Sequence, residues 1–61
     1  MHFDEAMQIV RESAVRGMDV LMVRGEDAYG WTPAGLSVVS GNPPGADGIS
    51  ADDWDVREGE R

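Results

Sequence analysis

The stretch PGADGISADDWDV, residues 44–56, decides the fold of this chain because it joins a Pro/Gly loop to the last strand. Ser50 precedes Asp53 by three residues, the spacing at which a hydroxyl and a carboxylate cap each other's backbone N–H groups. This spacing predicts a small capping turn. Trp54 and Val56 then alternate with charged residues, which predicts a short strand whose apolar face holds Trp54 as a core anchor.

The amino-terminal part of the chain has the spacing of an amphipathic helix. Apolar residues recur three and four positions apart, and Ile9 widens the stripe that they form: Phe3, Ala6, Met7, Val10 and Ala14. Arg11 and Arg16 fall at or just past the last turn, where cations suit the helix dipole. Gly17 is a good stop signal. We therefore predict a helix over residues 3–14.

Three short segments after this helix have the composition of strands. The first, residues 18–24, places apolar side chains on both faces of a strand, with Asp19 as an exception. This pattern predicts that the helix covers one of its faces and that a partner subunit is one candidate for the other. Turns rich in glycine, proline and acidic residues separate it from two further segments, which together predict an antiparallel meander: residues 28–32 and 36–40.

These elements predict an α+β fold in which one N-terminal helix packs on a three- to four-stranded antiparallel sheet. Residues 1–57 form the single predicted domain, and residues 58–61 a polar tail. A chain of 61 residues buries only about 60% of the surface that its unfolded form exposes, so its core is marginal. Disulfides are excluded because there is no cysteine, and one histidine, His2, is too few for a zinc site. We therefore expect a homo-oligomer without metal.

The charge balance restricts the classes of partner. Twelve acidic residues against five basic ones give a net charge of −7, which argues against binding to nucleic acids or to anionic membranes. The charge serves solubility, or it mimics a polyanion and blocks a basic surface of another protein. No apolar run reaches the roughly 18 residues of a membrane span and no leader pattern is present, so we expect a cytoplasmic location.

The residue types for catalysis are scarce. Nucleophile-and-base arrangements need a positioned histidine or lysine, and this chain has neither inside the predicted fold. Adjacent acids in turns, such as Asp52 and Asp53, are usually solvated. We therefore expect that the protein is not an enzyme and that it uses no cofactor.

Binding residues are easier to nominate. Tyr29 and Trp31 alternate onto one face of the second strand, where they form part of the core or of a subunit interface, or stack on a base. Arg16 and Arg24 bracket the first strand, and they are solvated or meet the phosphates of a ligand. Polar contacts are expected from the loop between Asn42 and Asp47.

The two ends of the chain resemble one family of small phage proteins. Residues 1–7, MHFDEAM, resemble its opening Met-x-Phe-Glu-Glu-Ala-Leu. Residues 44–56 resemble its closing segment Pro-Ser-x-x-Asp-Leu-Leu-Ala-Glu-Asp-Trp-Glu-Val, and the matching positions are Pro44, Ile49, Ala51, Asp53, Trp54 and Val56. This family contains the second type of Thoeris anti-defence protein. Where it usually carries Arg-x-Gly-Trp after the helix, this chain has Met18 in place of the tryptophan. The stacking ring of the family is therefore missing at this position unless Trp31 substitutes for it.

The resemblance implies a helix on an antiparallel sheet, assembled into oligomers that act in the infected host cell. It also implies sequestration, without cleavage, of a cyclic or ADP-ribose-type nucleotide made by a bacterial immune sensor. The pockets would form between subunits, with Tyr29 or Trp31 stacking and Arg16 and Arg24 on phosphates. The alternative is an acidic inhibitor without a small ligand, whose carboxylates block a host defence protein.

Overall fold

The computed structural model describes residues 1–59. Their elements follow one another as a helix, a three-stranded meander, a short helix and a last strand: α1 Phe3–Val15, β1 Val20–Arg24, β2 Asp27–Thr32, β3 Gly35–Ser40, α2 Ala46–Ser50 and β4 Asp55–Glu58. The strands form one antiparallel sheet in the order β3-β2-β1-β4. The predicted α+β fold is confirmed, with four strands.

Helix α1 forms where the apolar spacing predicts it and ends one residue later. Phe3, Ala6 and Val10 are buried against the sheet, whereas Ile9 is 38% exposed and lies outside the buried stripe. The helix ends in a Schellman motif: Met18 N–H donates to Ser13 O at 2.8 Å, and a glycine with a φ of +79° at position 17 permits the reversal. This reversal directs the chain back along the helix as β1.

Two tight hairpins connect the first three strands. Arg24 pairs with Asp27, so the first hairpin has a two-residue loop that begins with Gly25 at a φ of +60°. Glycine at this position suits the twist of a two-residue hairpin. The second hairpin pairs Thr32 with Gly35. Short connections of this kind place β1, β2 and β3 side by side in chain order.

The core lies between α1 and one face of the sheet, which we call the core face. Met22 on β1 pairs with Tyr29 on β2 and with Val56 on β4. Trp54 packs on this layer, with ring centroids 5.4 Å from Phe3 and 5.5 Å from Tyr29. Its burial confirms Trp54 as a core anchor.

The stretch of residues 44–56 contains a short helix where a capping turn was predicted. The Ser50 hydroxyl donates backwards to Ala46 O at 2.8 Å, so the capping arrangement with Asp53 is wrong. Helix α2 is held to the core because Trp54 Nε1–H donates to Gly48 O at 2.7 Å. The backbone N–H of Trp54 donates to Met1 O at 3.0 Å, which joins this segment to the start of α1.

Strand β4 pairs with β1 and extends one residue beyond the predicted domain, through Glu58. Gly59 N–H then donates to Asp19 O at 2.7 Å. The first half of the predicted tail is therefore attached to the sheet, and its last two positions lie outside the described residues.

Candidate functional site

The structure separates the six predicted site residues into two groups at opposite ends of β1. Arg16 caps the end of α1, and Trp31 lies beside the connection that follows it. The other four lie around the far end of the strand: Arg24, Tyr29, Asn42 and Asp47. Five residues of β1 separate the ends by roughly 13 Å. Arg16 and Arg24 therefore belong to different ends of the strand within one subunit.

Trp31 is the aromatic ring that remains accessible. It is half-buried on the core face, where it pairs with Leu36 and packs at the margin of the core. The guanidinium carbon of Arg11 lies over this ring, 5.7 Å from its centroid. A cation at this distance is attracted by the electron-rich face of an indole. The arrangement presents a flat ring and a positive charge at the same place.

Two shallow cavities lie beside this ring and a third lies on the neighbouring surface of α1, and together we call them the Trp31 cleft. The largest, about 430 Å³, lies along the last turns of α1 and is lined by Gln8, Arg11, Glu12, Val15 and Arg16. Two more, of about 250 and 310 Å³, are both lined by Ala14 and Trp31. Val15 lines the first and the second of these cavities, so they adjoin. The size suits a small planar molecule.

The charges in the Trp31 cleft are mixed. Arg11 and Arg16 lie there with Glu12, which accepts a hydrogen bond from Gln8 Nε2 at 3.5 Å. Within residues 1–59 neither of these arginines forms an ion pair, while Arg24 and Arg57 each lie next to an aspartate. The cleft therefore holds the cations that are free to meet an added anion.

Tyr29 lies in the core, which corrects its assignment as a stacking residue. Its side chain is 1% exposed, and its hydroxyl donates to Asn42 O at 2.6 Å. Burial raises the pKa of the phenol, and the charge of Asp27 adds to the effect. No ligand reaches this ring in the folded subunit.

Arg24 is occupied by an ion pair. Its Nε donates to Asp53 Oδ1 at 2.6 Å. This hydrogen bond raises the pKa of Arg24 and lowers the pKa of Asp53. Both side chains are partly exposed to solvent, so the pair contributes little to stability. A phosphate would have to compete with Asp53 for this guanidinium. The role of Arg24 as a phosphate ligand in a pocket between subunits stays a prediction.

The loop between Asn42 and Asp47 lies with Arg24, away from the Trp31 cleft. Asn42 N–H donates to Asp27 Oδ1 at 3.1 Å, and its carbonyl accepts from Tyr29. Asp47 lies in the first turn of α2, where its charge raises the pKa of Arg24. The loop therefore anchors the β1–β2 hairpin and does not line the cleft of its own subunit. Its polar contacts in a pocket between subunits stay a prediction.

Sequence reasoning did not place Arg11 at the site. It is adjacent to the buried Val10, which puts it at the border of the apolar stripe of α1, and Arg16 lies five positions later on the same helix. A cation at the border of a buried stripe reaches over the sheet next to it. That position was the available signal, but the partner ring on β2 is set by the packing of the helix.

Other kinds of site find no support in the described part of the chain. Residues 1–59 contain no group of three or more histidine, cysteine or acidic residues that could hold a metal ion. No helix in that range has the length and the apolar character that crossing a membrane requires. No family model, no curated protein and no solved structure matches the chain.

Proposed function

We propose that this protein binds a nucleotide in the Trp31 cleft and sequesters it. One observation carries the proposal: a partly exposed indole ring lies under the Arg11 guanidinium, which is next to a second arginine that has no carboxylate partner among residues 1–59. Bases stack on exposed aromatic rings, and arginine binds phosphate through two hydrogen bonds. A nucleotide carries both groups, a base and a phosphate, in one small molecule.

Binding replaces one stacking partner of the ring by another. A base that enters the cleft takes the place of the Arg11 guanidinium on Trp31. The released guanidinium then lies within reach of the phosphate that follows the base. Arg16 at the end of α1 supplies the second positive charge. In a chain of net charge −7, an anionic ligand needs such a local cluster of cations.

The biological role follows the resemblance described above. The ligand is a cyclic or ADP-ribose-type signal of a bacterial immune sensor, held uncleaved in the cytoplasm of the infected host by a phage protein. The cleft contains no cysteine, lysine or histidine to act as a nucleophile or base. Self-association of the chain is part of the same proposal.

The test is titration with a panel of cyclic nucleotides and ADP-ribose derivatives, followed by calorimetry and tryptophan fluorescence. We expect one class of nucleotide to bind and to quench Trp31, and denaturation of the complex to release it intact. Trp31→Ala and Arg16→Gln should each weaken binding about tenfold or more. Arg57→Gln removes the same charge from β4, away from the cleft, and should bind like the wild type. No binding by any nucleotide, or equal loss in all three variants, would contradict the proposal.

A specific observation also favours the second function, an acidic inhibitor that blocks a basic partner. Exposed carboxylates gather around the amino end of α1, since Met1 contacts both Asp52 and Trp54: Asp4, Glu5, Asp47, Asp52 and Asp53. If this surface is the functional one, Asp4→Asn/Glu5→Gln should abolish anti-defence activity in infected cells. Trp31→Ala should then leave that activity unchanged, and the nucleotide site predicts the opposite result.

A further inference from the structure

The face of the sheet opposite α1, which we call the outer face, is apolar across three strands. Backbone alternation and register put Leu21 and Val23 of β1 on this face, opposite Gly30 and Ala28 of β2. Both helices lie on the other side, since α2 packs on α1 and contacts Trp54. No helix within residues 1–59 covers the outer face.

Gly30 makes the middle of this face continuous. A Cβ atom at this position would lie 3.0 Å from Leu21 Cδ2 and 3.5 Å from Val39 Cγ2. Leu21 on β1 and Val39 on β3 therefore pack over the backbone of Gly30 from either side. An apolar patch extends from β1 to β3, and Val39 is 57% exposed within it. Contiguous apolar patches on a protein surface are typical of docking sites.

The charges on the outer face cancel. Register places Asp55 opposite Val23 and Arg57 opposite Leu21, both on β4. The other positions on this face are apolar or carry hydroxyl groups: Ala28, Gly30, Thr32, Ser37, Val39 and Ser40. The chain as a whole has a net charge of −7. Two acidic copies therefore meet on this face with the least repulsion between carboxylates.

We propose that the outer face docks a second copy of this chain. The two sheets pack face to face about 10 Å apart, as in a β-sandwich. A two-fold axis across the strands places Asp55 of each copy next to the partner's Arg57. This contact assigns a surface to the self-association proposed above. It does not depend on nucleotide binding, because the Trp31 cleft lies on the helix side of the sheet and stays accessible.

The same features identify the occupant as a copy of the chain. Asp55 and Arg57 lie 3.7 Å apart within one chain, and a two-fold contact lets each of them also pair with the opposite charge of the second copy. A strongly acidic or basic protein would be repelled by one of the two. A chain of 61 residues also has a small core, and burial of Leu21, Val23 and Val39 on a partner adds the apolar contacts that it lacks.

The first experiment is sedimentation velocity over a range of protein concentrations. We expect a dimer for the wild type and a monomer for Val39→Glu at the same concentrations. Ile49→Glu is the matched control, since Ile49 is 52% exposed on α2 and should leave the dimer unchanged. Circular dichroism and thermal unfolding check that each variant is folded.

A charge swap keeps the test independent of the apolar variant. Arg57→Asp places two aspartates of one copy against two of the other, and we expect the dimer to weaken about tenfold or more. The double variant D55R/R57D restores the pairing between copies and should recover the wild-type dimer. A wild type that stays monomeric at every concentration overturns the proposal, and a different protein would then be the candidate partner of the outer face. So does a dimer that survives both Val39→Glu and Arg57→Asp.

Discussion

At the scale of the residue, Tyr29 and Trp31 show how two positions on one strand acquire different roles. Both side chains project onto the core face of β2. Trp54 packs beside Tyr29, and the Asn42 carbonyl accepts a hydrogen bond from the Tyr29 hydroxyl, so the Tyr29 ring is enclosed. Trp31 lies one pleat further along, beyond Trp54 and under Arg11. Its ring is left partly exposed, and this difference makes it the candidate ligand residue.

Tyr29→Phe should lower the free energy of unfolding by about 1 kcal/mol at neutral pH, because the Asn42 carbonyl loses its donor. Burial raises the pKa of Tyr29 above its ordinary value of 10.0. The stabilising contribution of the neutral phenol is therefore complete below pH 10.0 and is lost as the pH rises through the raised folded pKa. Urea unfolding at a series of pH values measures both effects.

The chain allows this alkaline titration to be assigned to one group. It contains one tyrosine, no cysteine and no lysine. The wild type should lose stability above pH 10.0, and Tyr29→Phe should show a flatter profile there. An equally steep alkaline loss in the variant would contradict the enclosed position of the hydroxyl.

At the scale of the element, two glycines with the same backbone conformation have different surroundings. Gly17 and Gly41 both have a φ of +79°. A Cβ atom added at Gly17 meets nothing within 4 Å, whereas one at Gly41 would clash with the Asp27 carboxylate and lie 2.9 Å from the Glu26 carbonyl oxygen. The end of β3 is therefore packed tightly on the β1–β2 hairpin.

This pair of glycines yields a matched prediction. Gly17→Ala should destabilise the fold by about 1 kcal/mol through the left-handed backbone alone. Gly41→Ala has the same backbone cost and adds the clash, so it should destabilise by a further 1–3 kcal/mol or so. Urea unfolding of the two variants measures the difference. Equal losses would show that the Gly41 turn relaxes without cost.

At the scale of the whole molecule, the negative charge is confined to a small volume. The Cα atoms extend over 29 × 20 × 19 Å, and the chain has a net charge of −7. The Debye length is about 30 Å at 0.01 M salt and about 8 Å at 0.15 M. At the lower concentration most of the carboxylates therefore repel one another across the molecule. Unfolding relieves this repulsion.

We expect the Tm to rise when salt is added from about 0.01 M to about 0.15 M. The ion pair of Arg24 with Asp53 is screened at the same time, but a pair this exposed contributes too little to reverse the trend. The double variant Glu26→Gln/Glu58→Gln has two fewer negative charges and should show a smaller rise. Thermal unfolding by circular dichroism provides the measurement. A Tm that falls with salt would show that local pairs outweigh the overall repulsion.

The sequence by itself determined the features that depend on neighbours along the chain. The apolar spacing of α1, the stop at Gly17, the alternation of Tyr29 with Trp31 and the anchoring of Trp54 are all confirmed. Each follows from periodicity or from backbone freedom, which a short window of sequence contains. The turn at Ser50 was wrong because its hydroxyl has several backbone acceptors within reach, and its spacing to Asp53 does not choose among them.

Only the tertiary structure decided which residues meet across the fold. It paired Arg24 with Asp53, enclosed Tyr29 and brought Arg11 over Trp31. It also placed no helix of residues 1–59 on the outer face. These contacts join segments that are distant along the chain, and the packing of α1 and the register of the sheet set them. The physical reason is that side-chain chemistry gives each residue many possible partners, and packing selects one.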